Sequence, residues 1–196
     1  ERVSDSELNP LLNKAVLEYV PDNRSKFIVL HLMGSHSAVC ERLIEQPLLG
    51  AVKNQYFQDP LCYVSSIKQT DSLLEKIDQT LRSSGKTYSV VYLSDHGVSH
   101  NEIQGKIVMN HASPASEHRS IPLYKFEDGE TKLQKIKARK FMSNLTEGIL
   151  YWLGISTKEV SHPRDLFSEE DQKDERNELE NLSGRRLDPS IDIRGK

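Results

Sequence analysis

The chain of 196 residues has no apolar run that approaches the roughly 20 residues needed to cross a bilayer. It also lacks a recognisable signal peptide. Its formal net charge is −3 and no cluster of Lys and Arg lies beside aromatic residues, which argues against a nucleic-acid partner. With 36% hydrophobic and 28% charged residues, the composition suits one soluble domain with a modest core. Because the chain begins with Glu1 rather than Met, we expect it to be a segment of a longer protein.

Cysteine is scarce as well. The two cysteines, Cys40 and Cys62, are too far apart in the chain to form a CxxC metal motif. Two interpretations stay open. A disulfide would require an oxidising compartment and would contribute about 3 kcal/mol, whereas a reducing compartment would leave two free thiols.

Apolar runs and helical periodicity alternate along the first half of the chain. Residues 9–19 and 64–81 carry apolar side chains at helical spacing, and residues 27–33 and 88–93 are continuous apolar runs typical of buried strands. A strand, a crossover helix and a second strand form the unit of a parallel sheet. The sequence therefore predicts an α/β fold with a mostly parallel sheet flanked by helices.

The remaining segments carry weaker signals. Residues 107–109 and 121–124 are predicted to be short strands, and residues 133–152 a second amphipathic helix. Residues 37–60 show no clear periodicity, so we expect an irregular loop there, and long loops of this kind are often functional. From residue 168 onwards the chain is densely charged and is predicted to be a tail.

An adjacent acid and histidine follow the second predicted strand. Asp95 and His96 come directly after it, and Gly97 then allows the backbone to turn. Neighbouring side chains of a strand point to opposite faces, but beyond the strand end they can bind the same ion. A carboxylate oxygen with an imidazole nitrogen is a common pairing for zinc. The pair predicts a metal site, with an ordinary polar turn as the alternative.

Other histidines lie near the ends of predicted strands. The histidines in such positions are His31, His36, His96, His100 and His111. Because the carboxyl ends of neighbouring parallel strands share one edge of a sheet, we expect these side chains to meet there. His31 lies inside its predicted strand. A hydrogen-bonded core histidine, or a histidine that supports a metal ligand, fits this position at least as well as a direct metal ligand does. No chemical role is predicted for His118 or His162.

Five segments resemble, in the same order, motifs of the bacterial phosphoethanolamine transferases, which belong to the alkaline phosphatase/sulfatase superfamily. Residues 31–36 (HLMGSH) resemble the family's HxMGSH motif, and residues 63–71 resemble its Y(D/N)N(A/S)xxxTD helix. Residues 92–97 match its YxSDHG segment. Residues 110–111 take the place of its LHG, and residues 117–122 resemble its EQxxVP.

The resemblance implies a fold and a set of site residues. The fold would be the three-layer alkaline-phosphatase/sulfatase-like α/β fold, with residues 1–167 as the C-terminal part of the catalytic domain and 168–196 as the charged tail. The resemblance further implies the following roles. Asp95 and His96 would ligate a catalytic Zn²⁺, His36 and His111 would bind the substrate phosphate or a second metal ion, and His31 would support a ligand.

The resemblance also implies a reaction and a location. Family members move phosphoethanolamine from phosphatidylethanolamine to a threonine, and then to lipid A, a lipopolysaccharide core sugar or a periplasmic glycan. They are anchored in the inner membrane with a periplasmic catalytic domain. Their nucleophilic threonine, a further acidic zinc ligand and the membrane helices would lie upstream of Glu1. We therefore predict that this polypeptide alone is inactive, and that a sheet edge left unpaired favours a dimer of the segment.

The chain departs from the family pattern in two places. Val98 replaces the acid of the family's DHGES, and residues 37–42 replace its HGPxYxxR. Two alternatives therefore stay open. The first is a sulfatase or phosphohydrolase of the same superfamily, and the second is a module that binds metal or phosphate without catalysis.

Overall fold

A computed structural model describes residues 4–18, 24–43, 55–111, 116–160 and 164–173. The chain divides into two compact units, one that runs to Asp128 and one from Gly129 to Leu187. The predicted boundary at residue 168 stays a prediction, and most of the predicted tail lies outside the described residues.

Two helices form the core of the first unit. Helix α1 spans Leu8–Leu17 and helix α2 spans Gln58–Ser83. Both confirm predicted helices, although α2 begins earlier than its apolar periodicity indicates. Apolar side chains at helical spacing give each helix one inward face. The buried cluster between them consists of Leu12, Val16, Leu73, Ile77 and Leu81.

Two lysines cap the C-terminal end of α1. Lys26 Nζ donates to the carbonyl oxygens of Ala15 and Glu18, and Lys86 Nζ donates to Val16 O at 2.6 Å. The last carbonyl groups of a helix have no partner within it and carry the negative end of its dipole. The two ammonium groups therefore stabilise this end of α1.

Replacing Lys86 by methionine is expected to lower the free energy of unfolding by about 1 kcal/mol, the effect of a cation at a helix C-terminus. Methionine keeps an apolar stem and removes the ammonium group. Urea denaturation measures the change. Lys106→Met, at an exposed position outside any helix, is the matched control. Equal effects of the two substitutions would contradict the capping role.

The first sheet of this unit is an antiparallel pair. Strand β1 (Ser89–Leu93) pairs with strand β4 (Leu123–Glu127), with Tyr92 opposite Tyr124. Both strands confirm predicted ones. The predicted parallel sheet is not found among the described residues, where each of the two sheets has two antiparallel strands.

The second sheet is a hairpin. Strand β2 (Ser99–Ile103) pairs with strand β3 (Lys106–Asn110). The two residues that join them, Gln104 and Gly105, have φ values of 51° and 70°, as a type I′ turn requires. Strand β3 confirms the strand predicted at 107–109. Strand β2 is not among the predicted strands.

The strand predicted at 27–33 is not formed, which corrects the expected strand–helix–strand unit. Burial nevertheless alternates along the segment as in an extended chain. Leu30 and Leu32 pack against the helical core, whereas the side chains of Phe27 and Val29 are 57% and 72% exposed. A strand requires a neighbour for its backbone hydrogen bonds, and no described segment pairs with this one.

The irregular region predicted at 37–60 contains short helical pieces. Turns of 3-10 helix span Val39–Arg42 and Gln55–Phe57, and α2 begins directly after the second. Residues 44–54 lie outside the described part of the chain.

The helix of the second unit is shorter than predicted. Helix α3 spans Leu145–Trp152 and follows a 3-10 turn at Met142–Asn144, whereas the sequence predicts a helix over 133–152. No helix within the described ranges is long and apolar enough to span a membrane.

The segment before α3 is irregular because its backbone bonds to a distant part of the unit. The amide of Arg139 donates to Asp171 Oδ1 at 2.6 Å, and its carbonyl oxygen accepts from the amide of Gln172 at 2.9 Å. Leu133, expected on an apolar helix face, is 97% exposed. Tertiary hydrogen bonds thus replace the local helical ones here.

Candidate metal and phosphate site

The turn after β1 orients Asp95 and His96. The amide of His96 donates to Asp95 Oδ1 at 3.0 Å, and Ser94 Oγ donates to the carbonyl oxygen of His96 at 2.8 Å. His96 Nδ1 lies 2.8 Å from the carbonyl oxygen of Gly97. Because a carbonyl oxygen only accepts, Nδ1 carries the proton of this bond. A metal-binding histidine typically donates its second ring nitrogen in this way, which leaves the Nε2 lone pair for the ion.

Gly97 is required by close packing of the backbone. Its amide donates to His118 O at 2.8 Å. A Cβ atom at this position would lie 2.0 Å from Glu117 O and 3.0 Å from Ser120 O. The turn at 117–120 therefore packs directly against the backbone next to the Asp–His pair.

Three histidine rings come together beside this turn. The ring centroids of His96 and His111 are 4.9 Å apart, and those of His36 and His111 are 6.4 Å apart. Asp95 Oδ1 lies 3.9 Å from His96 Nε2. The structure thus brings four of the predicted site residues into one cluster, which we call the His–Asp cluster.

A carboxylate that the sequence analysis did not identify holds the turn before His36. Asp5 accepts from the amide of Met33 at 3.0 Å and from the amide of Gly34 at 2.8 Å, one bond on each oxygen. The amide of His36 then donates to Met33 O at 3.1 Å. A carboxylate that bridges two backbone amides fixes a turn through charge-assisted hydrogen bonds. No local pattern links Asp5 to a segment so far along the chain.

The segment after His36 is fastened to α2. Cys40 and Cys62 form a disulfide, and the Cys62 side chain is buried. Ser35 Oγ lies 2.9 Å from the buried Ser66 Oγ. These links on both sides hold the His36 loop on the N-terminal half of α2.

The donor types of the His–Asp cluster fit zinc. With bonds of about 2.0–2.1 Å and tetrahedral angles, two zinc ligands lie about 3.4 Å apart. The 3.9 Å between Asp95 Oδ1 and His96 Nε2 is within a small side-chain rotation of that value. No group of three or more His, Cys, Asp or Glu residues that could hold a metal occurs in the described part of the chain. The pair therefore fits zinc as two of its ligands and not as a closed four-ligand site.

Two tyrosine rings face each other across the β1–β4 pair, shortly before the Asp–His turn. The Tyr92 and Tyr124 rings stack with centroids 6.2 Å apart. Burial raises the pKa of Tyr92, and the nearby Tyr124, Tyr63 and Asp5 raise it further. Burial also raises the pKa of Tyr63. Both phenols therefore stay neutral at neutral pH.

The other histidines occupy different positions. His31 is exposed on the segment before the His36 turn, and His100 lies on β2. His118, to which no role was assigned, contacts the end of the hairpin through its ring. His162 lies outside the described residues.

Comparisons with known proteins bear on this site. A family model described as Sulfatase matches residues 1–155. Phosphoethanolamine transferase OpgE of Escherichia coli (strain K12) is 32% identical over 152 residues, which cover 75% of this chain and 27% of that protein. A putative phosphoethanolamine transferase of Haemophilus influenzae is 35% identical over 105 residues, 50% of this chain and 21% of that protein. No solved structure matches. The chain thus spans about a quarter of the length of these relatives.

Proposed function

This chain belongs to the sulfatase family, and on that premise we propose that it supplies part of the catalytic site of a zinc-dependent phosphoethanolamine transferase. The observation that carries the proposal is the His–Asp cluster, in which His96 and His111 lie 4.9 Å apart beside Asp95. The names of two relatives, both phosphoethanolamine transferases by description, agree with this reaction class.

The proposed reaction exchanges one phosphate ester for another. A hydroxyl oxygen attacks the phosphorus of phosphatidylethanolamine and the bond to the diacylglycerol oxygen breaks. A base takes the proton of the attacking hydroxyl, and the leaving oxygen takes up one proton, so that diacylglycerol is released. In the proposed route the first acceptor is a threonine, which we assign to no residue of this chain. The second acceptor is lipid A, the lipopolysaccharide core or a periplasmic glycan.

The residues of the cluster would divide the work by their chemistry. Asp95 and His96 would hold Zn²⁺ through a carboxylate oxygen and Nε2. When bound, zinc would supply Lewis acidity that offsets charge on the phosphoryl oxygens. His36 and His111 would direct ring N–H groups at the phosphate, which places donors where negative charge develops. The Gly97 carbonyl oxygen would keep the His96 ring oriented throughout.

The disulfide supports an oxidising location for the proposed enzyme. Disulfides such as Cys40–Cys62 persist in the periplasm and are rare in the cytosol. We propose that the chain faces the periplasm as part of an enzyme anchored in the inner membrane by segments not present here. Such an enzyme would have access to the phosphatidylethanolamine of that membrane.

Removing the Asp–His pair is expected to weaken zinc binding by roughly 100-fold or more. The reason is that loss of a group that only supports a ligand already lowers metal affinity about 10–100-fold. Competition titration with a chromophoric chelator measures the affinity of the chain and of its Asp95→Ala/His96→Ala variant. Asp128→Ala/His100→Ala removes the same two side-chain types outside the His–Asp cluster and is expected to bind as the parent does. Equal affinities in all three proteins would contradict the assignment.

Two other functions have an observation in their favour. The match to the sulfatase family favours an ester hydrolase, and Val98 and residues 37–42, which depart from the transferase motifs, favour a non-catalytic module. A form of the protein long enough to include the nucleophile separates the three. Transfer of phosphoethanolamine would support the proposal. Hydrolysis of an aryl sulfate would instead indicate the hydrolase, and zinc binding without turnover would indicate the non-catalytic module. The present chain alone is expected to be inactive in each assay.

A further inference from the structure

His118 contacts both of the segments that meet at the His–Asp cluster. Its carbonyl oxygen accepts from the amide of Gly97 at 2.8 Å, directly after the Asp–His pair. Its ring Nε2 lies 3.0 Å from Ser99 Oγ and 3.4 Å from Asn110 O. These last two residues face each other at the open end of the β2–β3 hairpin. One residue therefore contacts the turn after β1 through its backbone and the end of β3 through its ring.

The direction of the ring hydrogen bond follows from its partners. Ser99 Oγ donates to Asn110 O at 3.0 Å, which uses the one proton of the hydroxyl. Ser99 Oγ can then only accept from His118. The second neighbour of Nε2 is a carbonyl oxygen, which also only accepts. His118 Nε2 is therefore a proton donor to this pair of oxygens.

This arrangement differs from a serine nucleophile paired with a histidine base. In such a pair the ring nitrogen accepts the hydroxyl proton, whereas here the Ser99 proton points to Asn110 O. Ser99 is also completely buried, with 0% of its surface exposed. His118 and Ser99 thus form a structural link to Asn110, and His111 directly follows Asn110 in the chain.

We propose that His118 is a positioning residue that sets the separation of the His96 and His111 rings. The Gly97 bond fixes the turn that carries His96, and the Nε2 bonds fix the strand end that carries His111. Ser99, two residues after Gly97, also bonds directly to Asn110, so the hairpin joins the two segments and the His118 ring adjusts their separation. The consequence for catalysis rests on the proposed function, whereas the geometry can be measured without any activity.

Nuclear magnetic resonance of the full chain with ¹⁵N- and ¹³C-labelled histidine tests this role. In the parent we expect His118 to carry its proton on Nε2, His96 on Nδ1, and a nuclear Overhauser contact between the His96 and His111 rings. His118→Ala is expected to weaken that contact, because the Ser99–Asn110 pairing still holds the two segments together, while amide signals of α1 and α2 stay in place. His118→Gln is expected to restore it, because its amide nitrogen reaches the position of Nε2.

A second variant controls for general loosening of the hairpin. Tyr56 Oη donates to Glu102 Oε2 at 2.8 Å, and Tyr56→Phe removes this bond to β2 away from its open end. This variant is expected to keep the contact between the two rings. A proton on Nδ1 of His118 in the parent, or equal behaviour of the Ala and Gln variants, would overturn the proposal. If the Ala variant does not fold, the parent proton position and the Gln variant decide.

The two proposals fail separately. A chain with the expected histidine signature that binds no zinc would overturn the proposed function and support the role of His118. A chain that binds zinc through Asp95 and His96 but shows an unchanged ring contact in His118→Ala would support the proposed function and overturn the role of His118.

Discussion

Replacing Gly97 by alanine is expected to destabilise the first unit by roughly 3 kcal/mol, the upper end of the cost of overpacking. The new Cβ would lie 2.0 Å from Glu117 O, and the atoms it meets are backbone rather than a flexible side chain. The turn at 117–120 would have to move, and the bond from Gly97 to His118 O would break. Urea denaturation measures the stability, and the histidine spectrum reports whether His96 keeps its proton on Nδ1.

Gly129→Ala is the matched control for this prediction. It makes the same chemical change at φ 78°, with no heavy atom within 4 Å of the added Cβ. Its expected cost is about 1 kcal/mol, from the left-handed backbone alone. It should leave the signals of His96 and His111 unchanged. Similar costs at Gly97 and Gly129 would mean that close packing against the 117–120 turn does not limit this position.

Loss of the Cys40–Cys62 disulfide is expected to lower the free energy of unfolding by about 3 kcal/mol, as loop-closure entropy predicts for a loop of this length. The effect on the site should be larger than on the helices. His36 lies just before Cys40, while the cluster between α1 and α2 does not depend on the disulfide. We therefore expect the contact between the His36 and His111 rings to be lost first.

A reductant provides the internal control. Dithiothreitol should lower the urea midpoint of the parent to that of the Cys40→Ser/Cys62→Ser variant, and should leave the variant unchanged. A parent that keeps its midpoint under reductant after full reaction of both thiols would contradict the stabilising role. The sequence left disulfide and free thiols open, because pairing depends on the approach of a loop to a helix and not on spacing.

The elements predicted correctly from sequence have strong periodicity of their own. Helix α2 repeats apolar residues over more than four turns, and β1 consists of apolar and aromatic residues after Ser89. The helix predicted at 133–152 failed over its first half because the backbone there bonds to residues 171 and 172 instead. A pattern of side chains carries no information about such partners.

The cluster illustrates the same limit. The histidines were expected to meet at strand ends of a parallel sheet, but β1 pairs antiparallel with β4 and residues 27–33 form no strand. Contacts between distant segments produce the arrangement instead, through Asp5 for His36 and, beside the pairing of Ser99 with Asn110, through His118 for His111. Neither contact has a local signal, and the metal and phosphate roles of the cluster stay predictions.

The contact from Asp5 to Met33 and Gly34 has a practical consequence for limited proteolysis. Cleavage between the 3-10 turn Asp5–Glu7 and α1 would leave the helical core intact and remove the carboxylate from the His36 turn. A clipped sample would show a normal melting curve and a misplaced histidine. Cleaved and intact molecules would differ at the site but would have similar overall stability. The intact mass of the chain should therefore be checked before any ligand-binding result is interpreted.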